Sequence, residues 1–148
     1  MKKIISLLVL LFMTCGFAMA KDNYGFIDTN LIMSRYSVAL NITSNVKQRQ
    51  NEIQRLLADA NKKMAAAKDD VSKKTIEANA KKQIQPKLDA LASYQKQQNT
   101  KLENNINAAI AKVAKANNYA LILNGNSVVY GATNVTDLVL KELNTNFK

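Results

Sequence analysis

The sequence has no histidine and no tryptophan, and only one cysteine, one proline and four glycines in 148 residues. Without histidine, general acid–base catalysis loses its commonest agent near neutral pH. The His/Cys ligand sets typical of zinc sites are missing as well. No glycine-rich phosphate loop appears, which removes the usual nucleotide-binding signature. An enzyme is therefore not expected, and neither is a cofactor or a metal site. Scarce glycine and proline leave few turns for so long a chain, and few turns mean long elements.

The first twenty residues read as separate from the fold. Lys2 and Lys3 precede an apolar run from Ile4 to Met13, which is shorter than the ~20 residues a membrane span needs. Ala18-Met19-Ala20 puts small residues at the two positions a signal peptidase reads. Residues 1–20 are expected to be a signal peptide, cleaved before Lys21. Cys15 lies inside it, and Phe12 and Thr14 stand where a lipoprotein signal carries a leucine and a small residue. The mature chain, 21–148, then has no cysteine and no disulfide, although an exported compartment permits them.

Positive charge is in excess. The chain carries 21 Lys+Arg against 11 Asp+Glu. Loss of Lys2 and Lys3 leaves 19 against 11, a mature net charge of +8. Such a chain favours acidic polypeptides, polyanions or anionic membrane surfaces as partners.

Along the mature chain the texture changes twice. Tyr24-Gly25-Phe26-Ile27-Asp28 reads as a strand, and Leu31-Ile32-Met33 opens a helical stretch. From about Val38 to Asn117 there is no glycine, and Ala, Lys, Gln and Asn dominate. Strand texture returns in Tyr119–Leu123 and in Ser127-Val128-Val129-Tyr130. The intervening Asn124-Gly125-Asn126 predicts a β-hairpin. Thr136 is expected to cap a last short helix containing Leu138, Val139, Leu140 and Leu143, with Asp137 favourable in its first turn.

The middle carries one apolar seam. It runs Ile42, Val46, Ile53, Leu56, Ala60, Met64, Ala67, Val71, and then Ile84, Leu88, Leu91, Gln95, Gln98, Leu102, Ile106, Ala109, Val113. The spacing is that of one helix face, and the other faces are polar. A seam this narrow suits a two-helix antiparallel coiled coil. Equal helices would turn near residue 77; Lys68-Asp69-Asp70, Ser72 and the segment leading to Pro86 are all candidates for the turn. Each arm of ~35 residues would reach about 50 Å. One N-terminal strand and a two-strand hairpin make a small sheet with open edges and little core. Such a chain should complete its core with copies of itself.

These motifs, in this order, resemble the Skp/OmpH family of periplasmic chaperones. The family opens with a Gly-aromatic-aliphatic-Asp strand, matched by Gly25-Phe26-Ile27-Asp28, and then a short helix. Its long helix ends in an Ala-Ile…Val-Ala pattern before a Tyr-x-Leu-Val-Leu strand. Ala109-Ile110, Val113-Ala114 and Tyr119–Leu123 correspond. Val128-Val129-Tyr130-Gly131 and Asn134-Val135-Thr136-Asp137 follow in family order. Asn134 stands for the usual Asp, and Asn117-Asn118 stands where a glycine often precedes the tyrosine. The resemblance implies an α+β fold: a small β-sheet base, forming a barrel-like body in a homotrimer, with a long helical hairpin arm. The base would be 21–37 and 118–148, the arm 38–117. It also implies an ATP-independent holdase for unfolded outer-membrane β-barrel proteins in the periplasm of a Gram-negative bacterium.

Candidate functional residues divide between arm and base. Between Asn41 and Thr100 there are twelve positive and six acidic residues. Lys62, Lys63, Lys68, Lys73, Lys74, Lys81, Lys82 and Lys87 cluster towards the arm ends, as candidates for capturing acidic clients or for meeting anionic lipid or lipopolysaccharide. The bland reading is a solvated helix face. Leu57, beside the seam, is a candidate for lining a client cavity, as are Met33, Met64 and Tyr94, with Met64 better read as seam packing. Phe26, Ile27, Leu121, Ile122, Leu123, Val128 and Val129 are the expected trimer base. Asp28 reads as a structural residue at the strand-to-helix turn. A basic nucleic-acid-binding protein and a structural coiled-coil spacer are the alternatives. No specific nucleic acid is expected, because export and the lack of a known binding motif argue against it. A hairpin that returns to its own base is a poor spacer.

Overall fold

The structure, a computed structural model, describes residues 23–148. The expected signal peptide lies outside the described residues. The first element is strand β1 (Asn23–Ile27). Asp28 ends it and caps helix α1 (Thr29–Arg35), its Oδ1 accepting from the Leu31 amide at 3.0 Å. One otherwise orphaned helix amide is thereby satisfied, the structural role expected of Asp28. The backbone leaves helical geometry at Tyr36 (φ −76°, ψ 117°), and α2 (Ser37–Ala66) follows.

The chain turns at Ala67–Asp69, and α3 runs from Asp70 to Asn117. Asp69 caps α3: it accepts from the Ser72 amide and from the Ser72 hydroxyl, both at 2.7 Å. Of the candidate turns, Lys68-Asp69-Asp70 is the one used. The midpoint estimate near residue 77 fails because the helices are unequal. They hold 30 and 48 residues, or about 45 and 72 Å at 1.5 Å per residue. Pro86 stands inside α3, away from its first turn. There it removes one backbone hydrogen bond, the one that would reach the Lys82 carbonyl.

The end of α3 explains one departure from the family pattern. Asn118 adopts the left-handed conformation (φ 54°, ψ 42°) that terminates the helix. Glycine does this without strain, and asparagine is among the few other residues that tolerate it. Strand β2 (Tyr119–Asn124) follows directly.

The expected hairpin does not form. Asn124 has φ −71°, whereas a two-residue type I′ turn needs positive φ at both central positions. Its side chain accepts from the Asn126 amide at 3.1 Å, and Gly125–Ser127 make a 3-10 turn. Gly125 packs close to β1: a Cβ there would lie 3.2 Å from the Ile27 carbonyl oxygen and from the Phe26 ring. Val128, Val129 and Tyr130 are not in a strand, and Val129 and Tyr130 are fully exposed. The third strand is instead the two-residue β3 (Thr133–Asn134). The sheet order is β2-β1-β3, with both outer strands parallel to β1. β1 occupies the centre and takes the ladder that a hairpin would have used.

The last helix is α4 (Thr136–Asn146). Thr136 is its first residue and not its cap. The cap position is Val135, and Asn134 Oδ1 accepts from both the Thr136 amide (3.0 Å) and the Thr136 hydroxyl (2.6 Å). Only a side-chain oxygen is needed there, so asparagine serves as well as the family's aspartate. The Thr136 hydroxyl in turn accepts from the Asp28 amide at 2.9 Å, joining α4 to the end of β1.

The main core lies between the sheet and the helix ends. Ile27, Ile32, Tyr36, Ala39, Val113, Val135, Val139 and Leu143 belong to one cluster of buried side chains. Tyr36 is fully buried; its hydroxyl donates to the Phe147 carbonyl at 2.6 Å and accepts from Asn105 Nδ2 at 2.9 Å. The break between α1 and α2 is closed by one side chain of α4. Asn144 accepts from the Ser37 amide at 2.9 Å and donates to the Arg35 carbonyl at 3.2 Å.

Candidate functional site

The surface that could hold a partner is built mainly by α2 and α3. A second, small cluster of Ile53, Ile84 and Leu91 joins the two helices, with Val46, Leu56 and Ala80 packed against it. The sequence seam is largely recovered: Ile42, Ile53, Ala60, Ile84, Leu91, Leu102, Ala109 and Val113 are buried. Two members leave it. Val71 is exposed beside the turn, and so is Leu88. Lys87 takes the position next to Leu88: half-buried, it places its ammonium 2.6 Å from Glu52 Oε1. That hydrogen bond, followed by the Lys87 charge, holds the Glu52 carboxyl below the usual range. One step closer to the sheet, the Arg49 guanidinium stacks 4.6 Å over the Tyr94 ring.

Between the Glu52–Lys87 bridge and the turn, no ion pair or side-chain hydrogen bond joins the helices among the described residues. The facing seam residues there are Ala60 and Ala80. Alanine fills less of the space between helices than isoleucine, and grooves open on both sides. One, of about 330 Å³, is lined by Leu56, Asp59, Lys63, Ile76, Asn79 and Gln83 around an Ala60–Ala80–Ile84 floor. The other, of about 310 Å³, has the same floor and is walled by Leu57, Asn61, Met64, Glu77, Lys81 and Gln85. At 3.6 residues per turn, Leu56 and Lys63 fall on one flank of Ala60 and Leu57 and Met64 on the other. The grooves are therefore back to back.

The sequence-derived residues sort themselves on this surface. Lys62, Lys63, Lys68, Lys73, Lys74, Lys81 and Lys82 are all exposed. Lys63 borders one groove and Lys81 the other. Lys73 lies 3.8 Å from Asp70, its neighbour three residues back. Lys87 differs, being engaged with Glu52. Leu57 is 39% exposed and meets Met64 in a groove wall. Met64 is half-buried, so it belongs both to the seam and to the groove. Tyr94 packs against the main core and under Arg49, while Met33 is exposed on α1. From the sequence, Ala60 stands only as a seam member and Ala80 is not singled out. The available signal was two alanines at seam positions where large aliphatics would close the helix pair.

At the sheet, Gly25 and Ile27 are buried, and Ile122 packs against the main core. The other face carries Tyr24, paired in register with Leu121, and Phe26, paired with Leu123. Tyr24, Leu121 and Leu123 are 46%, 46% and 37% exposed, and Phe26 is half-buried. Val128 is half-buried and Val129 fully exposed in the irregular segment. One face of the sheet thus packs on its own chain and the other is a partly exposed apolar surface.

A family model described as Outer membrane protein (OmpH-like) matches residues 23–143. The chain belongs to this OmpH-like family. The family is one of periplasmic chaperones for outer-membrane proteins. The match runs from β1 into α4, so it takes in the sheet, both long helices and the grooves. A search of curated proteins finds no match. Among the described residues of this OmpH-like chain, no helix is long and apolar enough to cross a membrane.

Proposed function

We propose that the mature chain is a periplasmic, nucleotide-independent holdase, working as a homotrimer that keeps unfolded outer-membrane β-barrel proteins from aggregating. In this reading residues 1–20 are a cleaved signal peptide, and 21–148 form one domain. Its base is 21–37 and 118–148, and its arm, an antiparallel coiled-coil hairpin, is 38–117. The order of contacts supports the hairpin: Arg49 meets Tyr94, Glu52 meets Lys87 and Leu57 meets Lys81 across a groove. The exposed side chains of Leu121 and Leu123 on one sheet face support assembly through the base, since an apolar surface of this kind gains from burial against copies of itself.

The observation that carries the holdase reading is the arm surface. Two helices of 30 and 48 residues present exposed lysines and two grooves with a shared apolar floor, but little shared core. Lysine charge attracts acidic chains over about 8–10 Å at ordinary salt. Apolar contacts then act at short range, each weak enough to exchange, so release follows when the client folds into its membrane.

The test is aggregation of a urea-unfolded, acidic outer-membrane barrel protein after dilution, without nucleotide, with sedimentation of the mature protein alongside. Suppression by a trimer is the expected result. Reversing Lys62, Lys63, Lys73, Lys74, Lys81 and Lys82 to glutamate should slow capture at low salt while the trimer stays intact. An unchanged rate would reduce the lysines to a solvated face. Failure of the unaltered protein to suppress aggregation would end the holdase reading.

A further inference from the structure

The groove walled by Leu57 and Met64 is open because the seam is underfilled, and this gives it a specific capacity. Its floor is Ala60, Ala80 and Ile84, and its volume is about 310 Å³. That is the small end of the ~300–1,000 Å³ range of ligand pockets. It has room for a large aliphatic or aromatic side chain on an extended backbone. Met64 adds a flexible, polarizable wall that adapts to side chains of different shape. Its lining holds one base and one acid, while the surrounding stretch from Asp59 to Gln85 carries seven lysines against four acids. Lys81 lies at the rim, exposed and in no ion pair among the described residues, and Lys62, Lys74 and Lys82 are exposed on the same stretch of arm. Glu77 is the only acid in the lining.

We propose that this groove is a side-chain subsite for unfolded acidic polypeptides. It takes one apolar side chain against Leu57, Met64 and Ile84 while Lys81 meets a neighbouring carboxylate of the same chain. The proposal rests on the holdase reading and names where on the arm the client is gripped. The back-to-back groove shares the floor, so a bulky residue at position 80 closes both. Strength comes from repetition: one such subsite on each arm lets a single client engage several at once, and multivalency multiplies weak contacts.

The experiment compares Leu57→Gln/Met64→Gln, Ala80→Leu and Leu88→Gln with the unaltered protein. Leu88 is equally exposed on the same helix pair but lines neither groove. The readout is affinity for a urea-unfolded acidic outer-membrane barrel protein, by fluorescence anisotropy, with circular dichroism and sedimentation to confirm fold and assembly. The double glutamine variant should bind about tenfold more weakly, as expected for removing two apolar side chains from a shared contact. Ala80→Leu should weaken binding by filling the floor, and Leu88→Gln should bind as the unaltered protein does. Equal affinity in all variants, or equal loss in Leu88→Gln, would overturn the subsite while leaving the holdase reading standing. So would a double variant that changes only the sedimentation state, which would mean a second copy fills the groove. The same holds for one that changes only binding to phosphatidylglycerol vesicles. If the unaltered protein binds no unfolded barrel protein, the holdase reading falls first and the subsite with it.

Discussion

The sheet end and the helix pair are made from one chain but held by different means. At the sheet end, Ile32, Tyr36, Val135, Val139 and Leu143 are sealed from solvent, and residues more than 100 positions apart share hydrogen bonds. Along the helix pair, the cluster beyond the base consists of Ile53, Ile84 and Leu91, helped by an exposed ion pair and a stacked Arg49–Tyr94. Stability in such a molecule should be graded. Regions with few buried contacts open at lower free energy than the core they are attached to. A gradient of this kind fits the proposed reading, in which the sheet end assembles and the helix pair binds clients.

The comparison is broken most severely at Tyr36. Tyr36→Ala empties the centre of the sheet-end core and should cost about 3–5 kcal/mol. Tyr36→Phe leaves the Phe147 carbonyl and Asn105 without their partner and should cost about 1–3 kcal/mol. Urea unfolding measures both, and loss of near the same amount in the two variants would mean that the hydroxyl network dominates over packing.

A smaller effect is expected at Leu91, the cluster member of α3 nearest the base. Leu91→Ala should cost about 2 kcal/mol, the low end for such a truncation, because the site is close to solvent and can collapse. Hydrogen exchange would sharpen the contrast. Amides of 50–90 should lose protection while those of 136–143 keep theirs. Equal loss in both would show that the two ends unfold as one unit.

The smallest effect is in acid. The Glu52 carboxyl is held below its ordinary value by Lys87, so the bridge contributes fully above the unfolded value of ~4.3 and is lost as pH falls through the lower folded value. Exchange-corrected protection in 50–90 should therefore fall as pH drops below the unfolded carboxylate value, and Glu52→Gln should remove the part of that step not due to the Asp69 cap, which is lowered by its hydrogen bonds to Ser72. Glu142, lowered by its hydrogen bond to Lys112, titrates in the same direction at the sheet end. Its loss should matter less there, where the buried core remains.

Much of this was legible in local patterns. Seam spacing located Ile42, Ile53, Ile84, Leu91 and Val113, because a helix face repeats every three or four residues and burial follows the face. The strand of Tyr24–Ile27 and the capping carboxylate of Asp28 were legible for the same reason: both depend on neighbours in sequence. The basic stretch from Lys62 to Lys82 was visible as charge, and its exposure follows from the cost of burying charge. The hairpin misled because Asn-Gly is a local signal, and here β1 competed for the same hydrogen bonds.

The sequence alone determined periodicity, charge and the residues able to end a helix, including Asn118 at a left-handed cap, since these are properties of a residue and its near neighbours. Tertiary structure decided what depends on distant partners. It set the unequal helix lengths, because α3 runs on past the start of α2 to pack against α4. It made β1 the central strand, and it chose Asn144 to close the break at Tyr36 from 107 residues away. It also opened the grooves, since the void beside Ala60 exists only because the residue facing it, twenty positions along the chain, is another alanine.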